Sequence, residues 1–299
     1  MNMKIYEEIT ARIIGMLEQG VVPWKRPWNG AESHPKNLVS GKEYRGVNVW
    51  MLSCSGYVNP YWLTFNQARE LGGSVRKGEK GTPVVFWNFM EVADKKGEGS
   101  ELKTIPLLRK YTVFNVEQCD NIDHKRLKEL REKASEPPRQ VNKIEECEKV
   151  VAGYANKPEI INGKARACYS PSMDVIHMPD QDRFVGDEEY YSVLFHEMGH
   201  STGHSSRLGR ELLGSFGTQS YSKEELVAEM TAAFLCGVAG ITPKVEDNQA
   251  AYIASWLKRL KDDPKLVVSA AGQAQKASDY ILGTTQAEVE KQEEVAAGA

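Results

Sequence analysis

The sequence predicts an α+β chain of two domains, and three observations lead there. An HExxH pattern, His196-Glu197-Met198-Gly199-His200, lies on a helix-period background in the C-terminal half. Apolar runs such as Val84-Val85-Phe86-Trp87 and Arg109 to Val116 mark strands interspersed among helical segments. A strongly charged run from His124 to Glu136, broken by Pro137-Pro138, separates an aromatic, basic front from an acidic back. With 299 residues, the chain is long enough for two domains with a core each. The boundaries expected are a front domain at 1–124, a linker at 125–142, a back domain at 143–285 and a disordered Ala/Glu-rich tail at 286–299.

Composition narrows the function classes. A hydrophobic content of 41% with 26% charged residues fits a soluble globular protein. No apolar run approaches the roughly 20 residues that span a bilayer, and Met1 to Gly20 mixes charge with apolar residues at helical spacing, unlike a signal peptide. Cys54, Cys119, Cys147, Cys168 and Cys236 form no CxxC pair and read as reduced thiols, so the cytoplasm is the expected compartment. The net charge of −3 hides an asymmetry. Residues 1–90 carry 11 Lys/Arg against 7 Asp/Glu, a balance of +4, and the remainder carries 27 against 34, a balance of −7. The two ends therefore face different partners.

In the front part, Ile5, Ile9, Ile13, Met16 and Leu17 make an amphipathic helix that stops at Gly20. Next, Pro23-Trp24-Lys25-Arg26-Pro27-Trp28 holds two indoles and two cations on a segment kept extended by proline. That arrangement suits bases stacking and phosphates running along one strand, and it equally suits two indoles plugging the core. Tyr44, Arg45, Trp50, Tyr57, Tyr61 and Trp62 continue the aromatic and basic series, and five of the six tryptophans precede residue 90. Thr64-Phe65-Asn66-Gln67 opens a capped helix that ends at Gly72-Gly73. Arg76, Lys77 and Lys80 sit on a glycine-punctuated turn that could grip phosphate. Two strands follow, joined by a polar loop from Asp94 to Ser100. The expected single-strand contacts are Trp24, Lys25, Arg26, Trp28, Tyr44, Arg45, Arg76, Lys77 and Lys80. With no Walker-type loop and no CxxC finger, this part should bind rather than catalyse.

The back part opens with a helix through Ile144, Cys147, Val151 and Tyr154, then short strands near Glu159-Ile160-Ile161, Ala167-Cys168-Tyr169 and Val175 to Pro179. If the last of these is an edge strand, a substrate peptide can pair with it, which makes His177 a cleft candidate, with a surface strand histidine as the equal alternative. Asp187-Glu188-Glu189 start the next helix, and Thr202-Gly203 ends it. On that helix His196 and His200 project one turn apart from one face and can reach a single metal ion at about 2 Å. Glu197 beside them can take a proton from a water that the metal has acidified, which is hydrolase chemistry. His204 does not fit the spacing of a third histidine ligand and is read as packed or supporting. The third ligand should be a carboxylate from Ser222 to Met230. Ser222 and Glu225 match a capping box, which would occupy Glu225 structurally. Glu229 lies one turn deeper in an apolar run, where an unpaired carboxylate is costly and a metal would resolve the cost. Glu229 is therefore the expected ligand, with Glu225 as the alternative. Zinc is the default metal for this donor set, and manganese or cobalt also suit it.

Several segments together resemble the ArdC-type antirestriction proteins carried by conjugative plasmids. In front they are Ile9-Thr10-Ala11, Pro23 to Trp28, Tyr44-Arg45-Gly46-Val47-Asn48, Trp62-Leu63-Thr64-Phe65 and Val75 to Glu79. Behind are His196 to His200, Thr202-Gly203-His204, Arg207-Leu208 and Glu224-Glu225-Leu226. The resemblance covers nearly the whole chain. It implies an N-terminal single-stranded-DNA-binding domain joined to a zincin-like metallopeptidase domain, and a role in protecting incoming plasmid DNA from host restriction during conjugation. Plasmid primases carry a similar N-terminal domain, but no primase motif is present. Two functions follow as expectations. One is a metallopeptidase acting on a protein such as a restriction-modification subunit. The other is a non-catalytic single-stranded-DNA-binding protein whose metal site is only structural.

Overall fold

The computed structural model describes residues 3–25, 34–93, 102–135, 143–210, 212, 219–243 and 249–284. Arg26, Trp28, the loop from Asp94 to Ser100, Pro137-Pro138 and the tail at 286–299 lie outside the described residues, as does the side chain of Lys25.

Helix α1 (Met3–Glu18) forms where the isoleucines recur every fourth residue, burying Ile5, Ile9, Ile13 and Leu17, and Gly20 ends it with a left-handed φ of 78°. A front sheet follows, in the order β1 (Lys36–Asn37), β2 (Tyr61–Thr64), β5 (Leu102–Asn115), β4 (Thr82–Ala93). β1 runs parallel to β2, and the other pairs are antiparallel. Helix α2 (Val47–Ser53) packs beside β4, where Asn48 both donates to and accepts from the Val85 backbone. The capping box before α3 (Phe65–Glu70) is present, with Thr64 accepting from the Gln67 amide and Gln67 returning to Thr64. β3 (Ser74–Val75) and β6 (Cys119–Asp120) make a separate small ladder.

The segment read as a linker begins with a helix, α4 (Lys125–Ser135). Lys, Arg, Leu and Glu are all good helix formers, and charge alone does not keep such a run unstructured. Leu127 is buried, and the Arg126 guanidinium donates to the carbonyls of Leu38, Val39 and Ser40.

The back part places α5 (Lys143–Gly153) ahead of a three-stranded sheet with the order β7 (Glu159–Ile161), β9 (Val175–His177), β8 (Cys168–Ser170). Then come α6 (Asp187–Ser201), α7 (Gln219–Ala239), α8 (Gln249–Asp262) and α9 (Leu266–Leu282). No described helix is long and apolar enough to cross a membrane.

The two parts do not keep wholly separate cores. The cluster containing Ile9, Ile13, Trp24 and Trp50 from the front also contains Leu226, Met230 and Phe234 of α7, Trp256 of α8 and Val267 of α9. Trp50 stacks on Phe234 at 4.8 Å, an aromatic pair of the kind that adds about 0.5–1.5 kcal/mol beyond its buried area. Polar contacts seal the same seam: Arg45 pairs with Asp279, Gln275 accepts from the Gly46 amide, and the Thr10 hydroxyl donates to Pro264. The front part thereby rests on α7, which contributes to the site described next, and on α8 and α9.

Candidate metal centre

Helix α6 brings the two histidines together as their spacing requires. Three acids occupy its first turn, favourable at a helix N-terminus, and the two Nε2 atoms stand 3.1 Å apart. The third donor that the geometry offers comes from α7 and is Glu225. Its Oε2 lies 3.7 Å from His196 Nε2 and its Oε1 3.6 Å from His200 Nε2. One donor atom from each of the three residues fits within 4.8 Å of the others.

This corrects the expectation that Glu229 is the ligand and Glu225 the cap. Helix α7 begins at Gln219, so Ser222 lies inside the helix and not at the N-cap position that a capping box requires. Glu229 faces away, into the seam between the two parts, where it accepts hydrogen bonds from Trp24 Nε1 at 3.1 Å and from the Tyr252 hydroxyl. The cost of burying that carboxylate is met by an indole and a phenol, with no metal needed.

The approach of α7 depends on Gly199, inside the HExxH pattern. A Cβ there would sit 3.1 Å from the Ala228 Cα, 3.2 Å from its carbonyl oxygen and 3.2 Å from the Thr231 Cβ. Gly199→Val should therefore push α6 and α7 apart, cost about 1–3 kcal/mol of stability, and weaken divalent-metal binding more than about tenfold by moving Glu225 off the imidazoles. Calorimetric titration with manganese checks this, and unchanged affinity would show that the helix spacing does not set the site.

His200 is held from behind. Its Nδ1 meets Glu224 Oε1 at 3.4 Å, and Arg210 clasps Glu224 with bonds of 2.8 and 3.0 Å while also donating to Thr202 Oγ1 and the Gly199 carbonyl. A proton on Nδ1 donates to Glu224 and turns the Nε2 lone pair toward His196 and Glu225. Burial works to raise the Glu224 carboxyl, but His200 and Arg210 outweigh it and hold Glu224 below the usual range. For His200 burial pulls down, and the bond to Glu224 with the nearby charges of Glu197, Glu225 and Glu224 carries it above the usual histidine range.

Glu197 is 8% exposed and lies outside the three-donor set. Its Oε2 accepts the backbone N–H of Tyr169 at 2.8 Å. Burial pushes its carboxyl up, opposed by His200 and the Tyr169 amide and reinforced by Glu225. Tyr169 is on β8, an edge strand, and its hydroxyl donates to Asp174, which Arg207 binds through both nitrogens at 2.7 and 2.9 Å. The strand expected to line the cleft, carrying His177, is instead the central strand β9, paired on both sides and unable to add a peptide. His204 accepts from the Ser206 amide in a local turn. Sequence reasoning gave no role to Glu224, Arg210, Tyr169 or Arg207, although Glu224 and Arg207 lie in segments that carry the family resemblance.

The expected DNA contacts divide sharply. Trp24 is fully buried, edge-on to Trp256 and bonded to Glu229 and Tyr252. Tyr44 is 6% exposed within a front-sheet cluster, and Arg45 is committed to Asp279. These three serve the core and the seam, because the aromatic side chains that could stack on bases are also those that fill an interior. Arg76 is 43% exposed but shared among Glu79, Asp120 and the Glu117 carbonyl. Lys77 and Lys80 are exposed.

Comparison with known proteins agrees with this architecture. Residues 3–114 match the N-terminal domain of anti-restriction factor ArdC, and residues 145–273 match a zincin-like metallopeptidase. The metal-free crystal structure of antirestriction ArdC protein from the R388 plasmid shares 39% identity and superposes with a TM-score of 0.73, covering 92% of this chain and 96% of that one. The chain belongs to the ArdC antirestriction family. The Mn(II)-bound structure of the same ArdC protein also gives 0.73, at 38% identity, over 93% of this chain and 97% of that one. DNA primase TraC of Escherichia coli is 37% identical over 306 residues, 96% of this chain but 28% of TraC. The chain thus spans little more than a quarter of that relative. The protein y4eC of Sinorhizobium fredii is 35% identical over 290 residues, 93% of this chain and 91% of y4eC. The two-domain α+β reading stands, with an ArdC N-terminal domain and a zincin-like C-terminal domain.

Proposed function

We propose that this ArdC-family chain protects incoming plasmid DNA from host restriction during conjugation, binding single-stranded DNA through its front domain and cleaving a protein at a metallopeptidase site. The observation that carries the enzymatic half is the convergence of His196, His200 and Glu225 beside a buried Glu197. Two imidazoles and a carboxylate suit a divalent cation of borderline softness, zinc by default and manganese or cobalt as substitutes. The Mn(II)-bound relative supports such an ion. Bound there, the cation would supply Lewis acidity to a water and to a peptide carbonyl.

The chain's own residues do the rest. Glu197 Oε2 is occupied by the Tyr169 amide, which leaves Oε1 to take the proton of the attacking water. Burial raises this carboxyl above the ordinary glutamate value, making it a better base than a solvated glutamate. Glu224 fixes the His200 ring, and Arg210 keeps Glu224 ionised. The DNA-binding half is supported by the ArdC N-terminal match, by the primase relative and by the basic balance of residues 1–90. The protein cut is a component of the restriction machinery, and the site of action is the cytoplasm.

The test is transfer of an unmodified plasmid into restricting cells that express the wild type, His196→Ala or His200→Ala. Loss of protection in both variants, with single-stranded DNA binding retained, is the expected result. Full protection by both variants would reject the enzymatic half and leave a DNA-binding protein with a structural metal.

A further inference from the structure

The front sheet carries an aromatic face that its core does not use up. In the β4–β5 register Phe86 stands opposite Arg109 and Val84 opposite Tyr111, and directly opposed residues share one face. Val84 is buried, whereas Phe86 and Tyr111 remain partly exposed and Arg109 is exposed. The Phe86 and Tyr111 rings meet edge to face at 5.7 Å, with buried Tyr44 behind Phe86 at 6.2 Å. Trp62, on the same face through its alignment with Asn115, carries partly exposed Tyr57 against it at 5.6 Å. Arg76 donates to the Glu117 carbonyl, and the Glu117 carboxylate accepts the amides of Val58 and Asn59 just after Tyr57. The basic turn with Lys77 and Lys80 therefore borders one end of the ring series, and Arg109 borders the other. Glu79 is committed to Arg76 and Gln118. Arg109, Lys77 and Lys80 make no ion pair among the described residues.

We propose that this face, with Tyr57, Phe86 and Tyr111 as stacking rings and Arg109, Lys77 and Lys80 as phosphate contacts, is where single-stranded DNA seats. The inference rests on the DNA-binding reading above and gives it a place. Strands about 4.8 Å apart leave room for two or three unpaired bases across the face. A duplex keeps its bases stacked on one another and cannot offer them to the rings, so single strands are selected without sequence readout. The cations at the two ends complement the negative charge of the phosphate backbone. The face also supplies what the sequence-expected contacts lack, because Trp24, Tyr44 and Arg45 are consumed inside the fold.

The test uses the full chain and fluorescence anisotropy of a labelled oligothymidylate. Tyr111→Leu and Phe86→Leu should each weaken binding about tenfold, the loss of one stacked base. Tyr111→Phe should bind as the wild type does. Arg109→Gln, on an exposed side chain, should weaken binding and lower the slope of log affinity against log salt by about 0.7. Manganese titration and thermal melting confirm that each variant is folded. Wild-type affinity in Tyr111→Leu and Arg109→Gln overturns the assignment while leaving DNA binding in place. A wild-type chain that does not bind the oligonucleotide overturns the DNA-binding reading itself, and this proposal with it.

Discussion

Glu225→Ala is expected to lower divalent-metal affinity by at least about 100-fold, and Glu229→Ala to leave it within a few-fold. The first change removes the only carboxylate in the three-donor set, so the loss should exceed the 10–100-fold or so typical of removing a supporting partner. The second removes the acceptor of Trp24 Nε1 and of the Tyr252 hydroxyl. Trp24 Nε1 keeps the Tyr252 oxygen as an acceptor, but the Tyr252 hydroxyl loses the carboxylate it donates to, costing about 1–3 kcal/mol of fold stability. The two variants should separate cleanly: Glu225→Ala keeps its thermal midpoint in the apo form and loses metal, whereas Glu229→Ala melts earlier and holds metal. Competition with a chromogenic chelator, run beside thermal melting, reads both. Metal retained by Glu225→Ala and lost by Glu229→Ala would return the ligand role to Glu229.

The exchange of roles between these glutamates shows what local pattern can and cannot supply. A carboxylate at 229 does need compensation. The compensation came from Trp24, 205 residues away, and from Tyr252 on another helix, and no window on the sequence joins them. The Ser222 to Glu225 spacing imitated a helix start because a capping box is defined by residue types, while the helix itself runs on to Gln219. Features set by neighbours in sequence were legible: the isoleucine stripe of α1, the Thr64 cap, the pairing of β4 with β5, and the extent of α6 with its two histidines. Strand order was not, since the same three short strands can be arranged with either β8 or β9 at the edge, and His177 was placed at an edge it does not occupy. Composition failed in a related way in the front part. Interleaved aromatics and cations describe both a platform and a seam, and Trp24 and Arg45 went to the seam.

Glu197→Gln should retain metal and fold while losing hydrolysis by a factor of about 10²–10⁴, the usual contribution of a positioned general base. Glutamine is nearly isosteric, and its carbonyl oxygen can still accept the Tyr169 N–H, so the tie between α6 and β8 survives. What disappears is the free carboxylate oxygen that takes a proton. Because Glu197 lies outside the donor set, metal content should match the wild type. Removing a buried carboxyl whose ionisation burial opposes should also leave stability unchanged or slightly higher. Metal analysis, thermal melting and cleavage of a quenched-fluorescent casein by zinc- or manganese-loaded protein measure the three effects together. Loss of metal in Glu197→Gln would mean that this residue shapes the ion site itself. Undiminished cleavage would move the base to another group, although the two other acids beside His200, Glu225 and Glu224, are already engaged at the ion site as donor and as support.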